Sequence, residues 1–327
     1  MAGKAKKRHW IGFDLGGTKM LSTVYDADFN ELGKERTKTK GHEGSEAGLA
    51  RIATTIERSL EDSGISADQV AGLGIGCPGP LNLSRGVIEE APNLGWKDVP
   101  VKEYLENKFA FPALIMNDVD AGIYGEYRFG SAKDHRTAFG VFPGTGIGGG
   151  CVYEGNIISG KKSSCMEIGH VQVMPEGPLC GCGRRGCLEA VASRLVIASH
   201  AAAAAYRGYA PLLLEKCGTD VSRIRSGALA ASVNAGEKVI ESIVRDAARH
   251  IGRAVASVVH LISPDIVVLG GGLVEAMPEL FIDEAGKAAR KRVLPAFKES
   301  FEMVAAKLGD KAAVLGAAAW AEHNQSD

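Results

Sequence analysis

The chain has almost no net charge: 38 Lys and Arg stand against 39 Asp and Glu, a formal −1 over 327 residues. That balance argues against a general electrostatic grip on nucleic acid or on an anionic membrane surface. The one basic run, Lys4-Ala5-Lys6-Lys7-Arg8, reads as a solvated tail. No apolar stretch reaches the roughly 18 residues of a membrane span, and no signal-peptide core follows the N-terminal lysines. A cytoplasmic protein is expected, in which 7 cysteines are more readily reduced, metal-bound or buried than disulfide-paired. No G-x-x-x-x-G-K-[ST] is present, which removes the P-loop. No Ser/Gly linker appears either, so two lobes rather than beads on a string are expected.

What the chain does have is glycine: 42 residues, nearly twice the usual ~7%. Adding 12 prolines still falls short of the roughly 25–30% of a low-complexity chain. With 45% apolar and 24% charged residues the composition is that of a folded core, so the glycines read as positional. The length gives a prior of two domains.

Ile11 to Leu15 reads as a strand, Gly16-Gly17-Thr18-Lys19 as a turn and Met20 to Tyr25 as the returning strand. Apolar residues at helical spacing (Leu49, Ile52, Ala53, Ile56, Leu60) predict a helix over 48–63, ending before Gly64. Strands follow at 70–75 and 113–116, with helices at 101–108 and 119–127. The theme then restarts: a strand over 137–142, a glycine turn over 144–150 and a strand over 151–154, which hints at two related halves. Residues 160–189 are rich in Cys, Gly and His and lack periodicity. Helices dominate 190–260, before a strand at 266–269, Gly270-Gly271-Gly272 and a helical run to Arg292.

Gly144-Thr145-Gly146-Ile147-Gly148-Gly149 satisfies G-x-G-x-x-G, but the dinucleotide fingerprint needs a helix directly after it. Here a strand follows, so that reading fails. Two alternatives remain for each glycine turn: an ordinary tight turn, or a nest of backbone N–H groups for an anion, using positive φ and close backbone approach. Asp14 before the first turn is placed to hold Mg²⁺, with Thr18 and Lys19 near phosphates. Gly270–Gly272 fits either a third nucleotide contact or a packing role.

Asn117 and Asp118 stand where a buried strand gives way to a helix, the end of a strand at which α/β proteins collect ligands. Asp118 fits a base that takes the proton of a hydroxyl attacking a phosphoryl group, and equally an N-cap for the helix that follows. His170 with Cys180, Cys182 and Cys187 matches a tetrahedral zinc set, free thiols or a redox pair being the alternatives. Glu167 and Glu189 flank that cluster.

Taken in order, Asp14-Leu-Gly-Gly-Thr-Lys19, Asn117-Asp118, Gly144 to Gly150, Glu167-Ile-Gly-His170, Cys180-Gly-Cys182-x₄-Cys187-Leu-Glu189 and Leu269-Gly-Gly-Gly272 resemble the ROK family. These are bacterial sugar kinases and sugar-responsive repressors of the actin-like superfamily. The resemblance covers essentially the whole chain. It implies an α/β, two-lobed actin-like (ribonuclease H-like) sugar kinase fold with a zinc-stabilised loop. One lobe would span 1–130, with a C-terminal helix at about 313–327 packing back on it, and a larger lobe 131–312.

The resemblance also implies roles. Asp14, Gly16, Gly17, Thr18, Lys19, Gly144, Thr145, Gly146, Gly148, Gly149, Gly271 and Gly272 would bind ATP, with Mg²⁺ near Asp14. Asp118 would be the base for a hexose 6-hydroxyl, and Asn117, Asp118, Glu167, His170 and Glu189 would bind the sugar. His170, Cys180, Cys182 and Cys187 would ligate a structural Zn²⁺, one imidazole nitrogen facing metal and the other substrate. Ala91 to Trp96 and residues 201–250 look most like the glucokinase members, so glucose is the expected hexose. A fructo-, manno- or N-acetylhexosamine kinase, or a non-catalytic sugar sensor, is the alternative. Ten residues precede the first strand, too few for the DNA-binding helix-turn-helix of the repressors. A homodimer or tetramer is expected.

Overall fold

The computed structural model describes residues 9–161 and 165–325, so the basic run at 4–8 and the last two residues of the expected C-terminal helix lie outside the described residues. The chain divides into two compact units: Met1–Lys133 with Gly155–Cys165 and Asp310–Asp327, and Asp134–Glu154 with Met166–Gly309. Among the described residues no helix is long and apolar enough to cross a membrane.

In the first unit β1 (His9–Leu15) is buried over most of its length on both faces, as a strand inside an α/β sheet must be. The chain reverses into β2 (Lys19–Tyr25), antiparallel, with Leu15 opposite Met20. An edge strand, β3 (Glu31–Lys38), continues the sheet. Only Gly33 is fully buried in it, so its charged sequence carries none of the apolar alternation that announces a strand; such charge is how edge strands resist further pairing. α1 (Ser45–Ser63) buries the predicted Leu49, Ile52, Ala53, Ile56 and Leu60 and stops at Gly64, at φ 67°.

β4 (Val70–Cys77) then lies parallel to β1. A small antiparallel sheet follows, made of β5 (Leu81–Asn82), β6 (Val87–Ala91) and β7 (Trp96–Val99). After α2 (Val101–Phe109), β8 (Ala113–Asn117) joins β4 in parallel and leads straight into α3 (Asp118–Phe129). The main sheet runs β3-β2-β1-β4-β8.

The C-terminal helix Ala312–His323 packs on β1, β4 and α3 of this unit. Glycine makes the approach possible. A Cβ at Gly12 would lie 1.8 Å from the Val314 carbonyl oxygen, and one at Gly74 would lie 1.8 Å from that of Ala317. Any side chain at either position would push the helix off the sheet.

The second unit repeats the opening. β9 (Thr137–Pro143) and β10 (Ile147–Tyr153) form an antiparallel hairpin with Pro143 opposite Ile147, and the strands Ile266–Leu269 and Glu302–Ala305 continue from β9 in parallel. The glycine turn is shorter than the predicted 144–150. Gly148, Gly149 and Gly150 belong to β10, opposite Phe142, Val141 and Gly140. Helices α4 (Glu189–Ala192), α5 (Arg194–Tyr206), α6 (Pro211–Cys217), α7 (Ser226–Asn234) and α8 (Lys238–Ile262) precede the parallel strands. The predicted helical run after Gly270 is two helices, α9 (Gly272–Ala276) and α10 (Pro278–Arg290), because Pro278 starts a new one.

Candidate active site

Parallel pairing in the first unit brings three strand ends together: Asp14 of β1 stands opposite Gly76 of β4, and Cys77 of β4 opposite Asn117 of β8. Asn117 is the N-cap of α3, its side chain accepting from the N–H groups of Val119 and Asp120 at 2.9 and 3.3 Å. The cap reading of Asp118 is thereby corrected. Asp118 is the first helical residue, and its Oδ1 accepts from the Val119 N–H at 3.0 Å. A Cβ at Gly76 would lie 3.4 Å from the Asp118 Cα, so the end of β4 packs against the start of α3.

Asp14 is half-buried nearby. Burial first, then the charges of Asp118 and Asp310, push its carboxyl from 3.8 up to about 7, against a smaller opposing pull from Arg36. Burial, and then the charges of Asp118 and Asp14, push the Cys77 thiol well above its ordinary range. Negative charge gathered in a low-dielectric pocket suits a divalent cation.

The glycine turns share one construction. In the first, Thr39 donates its hydroxyl to the Gly16 carbonyl at 2.6 Å and its N–H to that of Thr18 at 2.9 Å. In the second, the Gly146 carbonyl accepts from the Gly144 N–H at 2.8 Å, and the Gly144 carbonyl from the Arg194 N–H at 2.9 Å. Both turns therefore tie back carbonyls that would otherwise repel a phosphate. Arg194 also donates to Thr145 Oγ1 at 2.8 Å, bringing a cation to the turn.

One expectation is corrected here. None of Gly16, Gly17, Gly144, Gly146, Gly148 and Gly149 has a left-handed φ; of the proposed phosphate glycines only Gly271 does, at φ 80°. Close approach demands glycine at Gly16, where a Cβ would lie 2.7 Å from the Lys19 carbonyl oxygen, whereas a Cβ at Gly146 would lie 2.4 Å from Glu189 Oε2, the end of a flexible side chain that would have to move. Gly270, whose Cβ would meet the Phe142 ring at 2.5 Å, serves packing.

The second unit also brings together Glu189, the glycine turn and the Cys/His cluster. Glu189 starts α4; its Oε2 accepts from the Ile147 N–H at 3.0 Å, and the Cys180 thiol lies 3.8 Å from its Oε1. Donor atoms of His170, Cys180, Cys182 and Cys187 all lie within 4.8 Å of one another. Cys182 and Cys187 are 3.7 Å apart at sulfur, and His170 Nδ1 is 3.7 Å from Cys180 Sγ. Tetrahedral zinc with Zn–S of about 2.3 Å has edges of about 3.7 Å, so the donors fit that ion.

Left-handed Gly186, at φ 75°, lets the loop fold on itself, since a Cβ there would lie 1.7 Å from the Met174 carbonyl oxygen. Glu167, exposed, precedes the short 3₁₀ turn Ile168–His170. Met166 before it holds φ 65°, a backbone rare for a residue with a side chain, and its carbonyl would sit 2.5 Å from a Cβ at Gly149. Asn117 and Asp118 belong to the first unit, whereas Glu167, His170 and Glu189 belong to the second. Sequence reasoning missed Thr39, Arg194, Gly76 and Asp310, whose partners are remote along the chain. Only Arg194 left a local trace, as the first helical residue after the Ser193 cap of α5.

Two sheets that each open on a glycine-turned hairpin and continue in parallel define an actin-like α/β fold of the sugar-kinase kind. The chain belongs to the ROK family, which it matches over residues 10–324. It is 34% identical over 309 residues to a glucokinase of Thermotoga maritima, covering 94% of this chain and 95% of that one. The crystal structure of a ROK family glucokinase from Streptomyces griseus in complex with glucose and AMPPNP matches with a TM-score of 0.84 at 30% identity, over 96% of this chain and 99% of that one. A xylose repressor of Caldicellulosiruptor bescii is 26% identical over 306 residues, 94% of this chain and 76% of its own.

Proposed function

We propose that the chain is an ATP-dependent hexose kinase acting on the 6-hydroxyl, with glucose as the expected hexose. The observation that carries this reading is Asp118, seated at a strand end on an α-helix N-terminus while Asn117 takes the cap. In that position Asp118 accepts the proton of the attacking hydroxyl. The Asn117 amide, whose oxygen is used by the cap, offers its NH₂ to the sugar. Glu167, His170 and Glu189 supply further partners for sugar hydroxyls, and a site built for those hydroxyls rejects analogues that lack them.

The two turns and Gly271 and Gly272 bind the nucleotide, and Arg194 adds positive charge beside Thr145. Mg²⁺, held near Asp14, supplies neutralisation of phosphate charge. Zn²⁺ on His170, Cys180, Cys182 and Cys187 fixes the loop that carries His170 and leads to Glu189. The kinship with glucokinases supports the substrate class.

Kinship with a repressor favours a second reading, a sugar sensor without turnover. A coupled ADP-release assay across glucose, fructose, mannose and N-acetylhexosamines separates the two. The kinase reading expects glucose to give the largest kcat/KM. Tight hexose binding with no ATP consumption on any sugar would replace it with the sensor.

A further inference from the structure

Away from these residues, the second unit carries a basic cleft that neither the turns nor the metal cluster uses. α8 and α10 touch at a glycine: a Cβ at Gly252 would lie 2.2 Å from the Ala285 carbonyl oxygen. This close approach brings the flanking side chains of both helices to one cleft of about 380 Å³, lined by Arg249, Arg253, Glu284, Lys287, Lys291 and Arg292.

The single carboxylate is already engaged, accepting from Arg245 at 2.6 Å and from Arg249 at 2.8 Å. Lys287 is held by Asp283 at 2.6 Å. Among the described residues Arg253, Lys291 and Arg292 have no carboxylate at ion-pair distance. Arg253 instead donates to His250 Nδ1 at 3.4 Å, a bond that needs the imidazole neutral on that nitrogen. Burial, and then the Arg253 charge, lower the proton affinity of His250; Asp246 opposes them and Arg292 adds a lesser push in the same direction as Arg253. Like charges converging on a concavity repel one another, and the natural relief is a bound anion.

We propose that this cleft is a second ligand site, for a small oligophosphate or phosphate ester. The planar forks of Arg253 and Arg292 match phosphate oxygens two at a time, while Lys291 acts as a point charge. A volume of this size falls in the range of small-molecule sites, roughly 300–1,000 Å³, and exceeds what one phosphate ion needs. The proposal does not depend on the kinase reading.

The experiment is isothermal titration of the full chain with two probes in separate arms, inorganic tripolyphosphate and a hexose 6-phosphate. Wild type is compared with Arg253→Gln/Arg292→Gln and with Gly146→Ala, which disturbs the phosphate turn instead. The expected result is binding of at least one probe that weakens about tenfold or more in the arginine pair and persists in Gly146→Ala. The tighter arm identifies the kind of ligand. Because Arg292 is exposed, Arg292→Gln alone guards against misfolding of the pair and should weaken binding at least about threefold. Binding unchanged in both arginine variants, or none in wild type to about 10 mM, overturns the proposal.

Discussion

Asn117 and Asp118 divide two jobs that the sequence left open on one residue, because base and cap both call for an oxygen at a helix start. The structure gives the cap to Asn117. Asp118→Ala should therefore lower kcat at least about a hundredfold while AMPPNP binding, by titration, stays within about twofold; near-normal turnover would remove Asp118 as base. Asp14 supplies a pH test. Its carboxyl moves from 3.8 to about 7 in the folded chain. Between those values the folded chain keeps a proton that the unfolded chain has lost, so Asp14 works against folding as pH rises, fully so above 7. In metal-free protein Asp14→Asn should raise Tm by a few degrees at pH 8, not at pH 4; with Mg²⁺ supplied it should abolish turnover. An equal Tm change at both pH values would contradict the buried-charge account.

At the scale of elements, the glycine turns were legible as motifs, but the reason for their glycines was not. Positive φ is a local property that a sequence can hint at, whereas the crowding at Gly146 comes from Glu189, far along the chain. Gly146→Ala should drive Glu189 off the Ile147 N–H, 3.0 Å away, and cut kcat/KM at least about tenfold with little loss of stability. A fully active variant would show that the Glu189 contact is dispensable. The metal loop was legible for the opposite reason: Cys and His identities carry their chemistry with them, although only the fold shows that the donor spacing suits a tetrahedral ion. Protein purified without chelator should hold about one zinc per chain. Stripping it should weaken hexose binding more than AMPPNP binding, and a content well under one would reject the site.

For the molecule as a whole, the sequence disclosed both hairpins and the strands at 70–75, 113–116 and 266–269, since those follow from apolar runs punctuated by glycine, but not the parallel strand Glu302–Ala305. It was silent on β3, whose charged residues hide an edge strand, and on Gly12 and Gly74, which look like weak points inside strands. They are the contact surface for the helix Ala312–His323. Gly74→Val should destabilise the chain by 3 kcal/mol or more, on the order of a buried clash or a lost helix seat. Urea unfolding with a midpoint like that of wild type would show that the helix can shift at small cost.

That docking has a consequence for biosynthesis. The sheet finished at Asn117 waits for a helix that begins at Ala312. At roughly 5–20 residues per second the ribosome needs on the order of 10–40 s to deliver it. Throughout that interval the glycine-lined face of β1 and β4 has no cover, so the nascent chain is a natural client for holding chaperones. The first part of the chain to be made is the last to be completed.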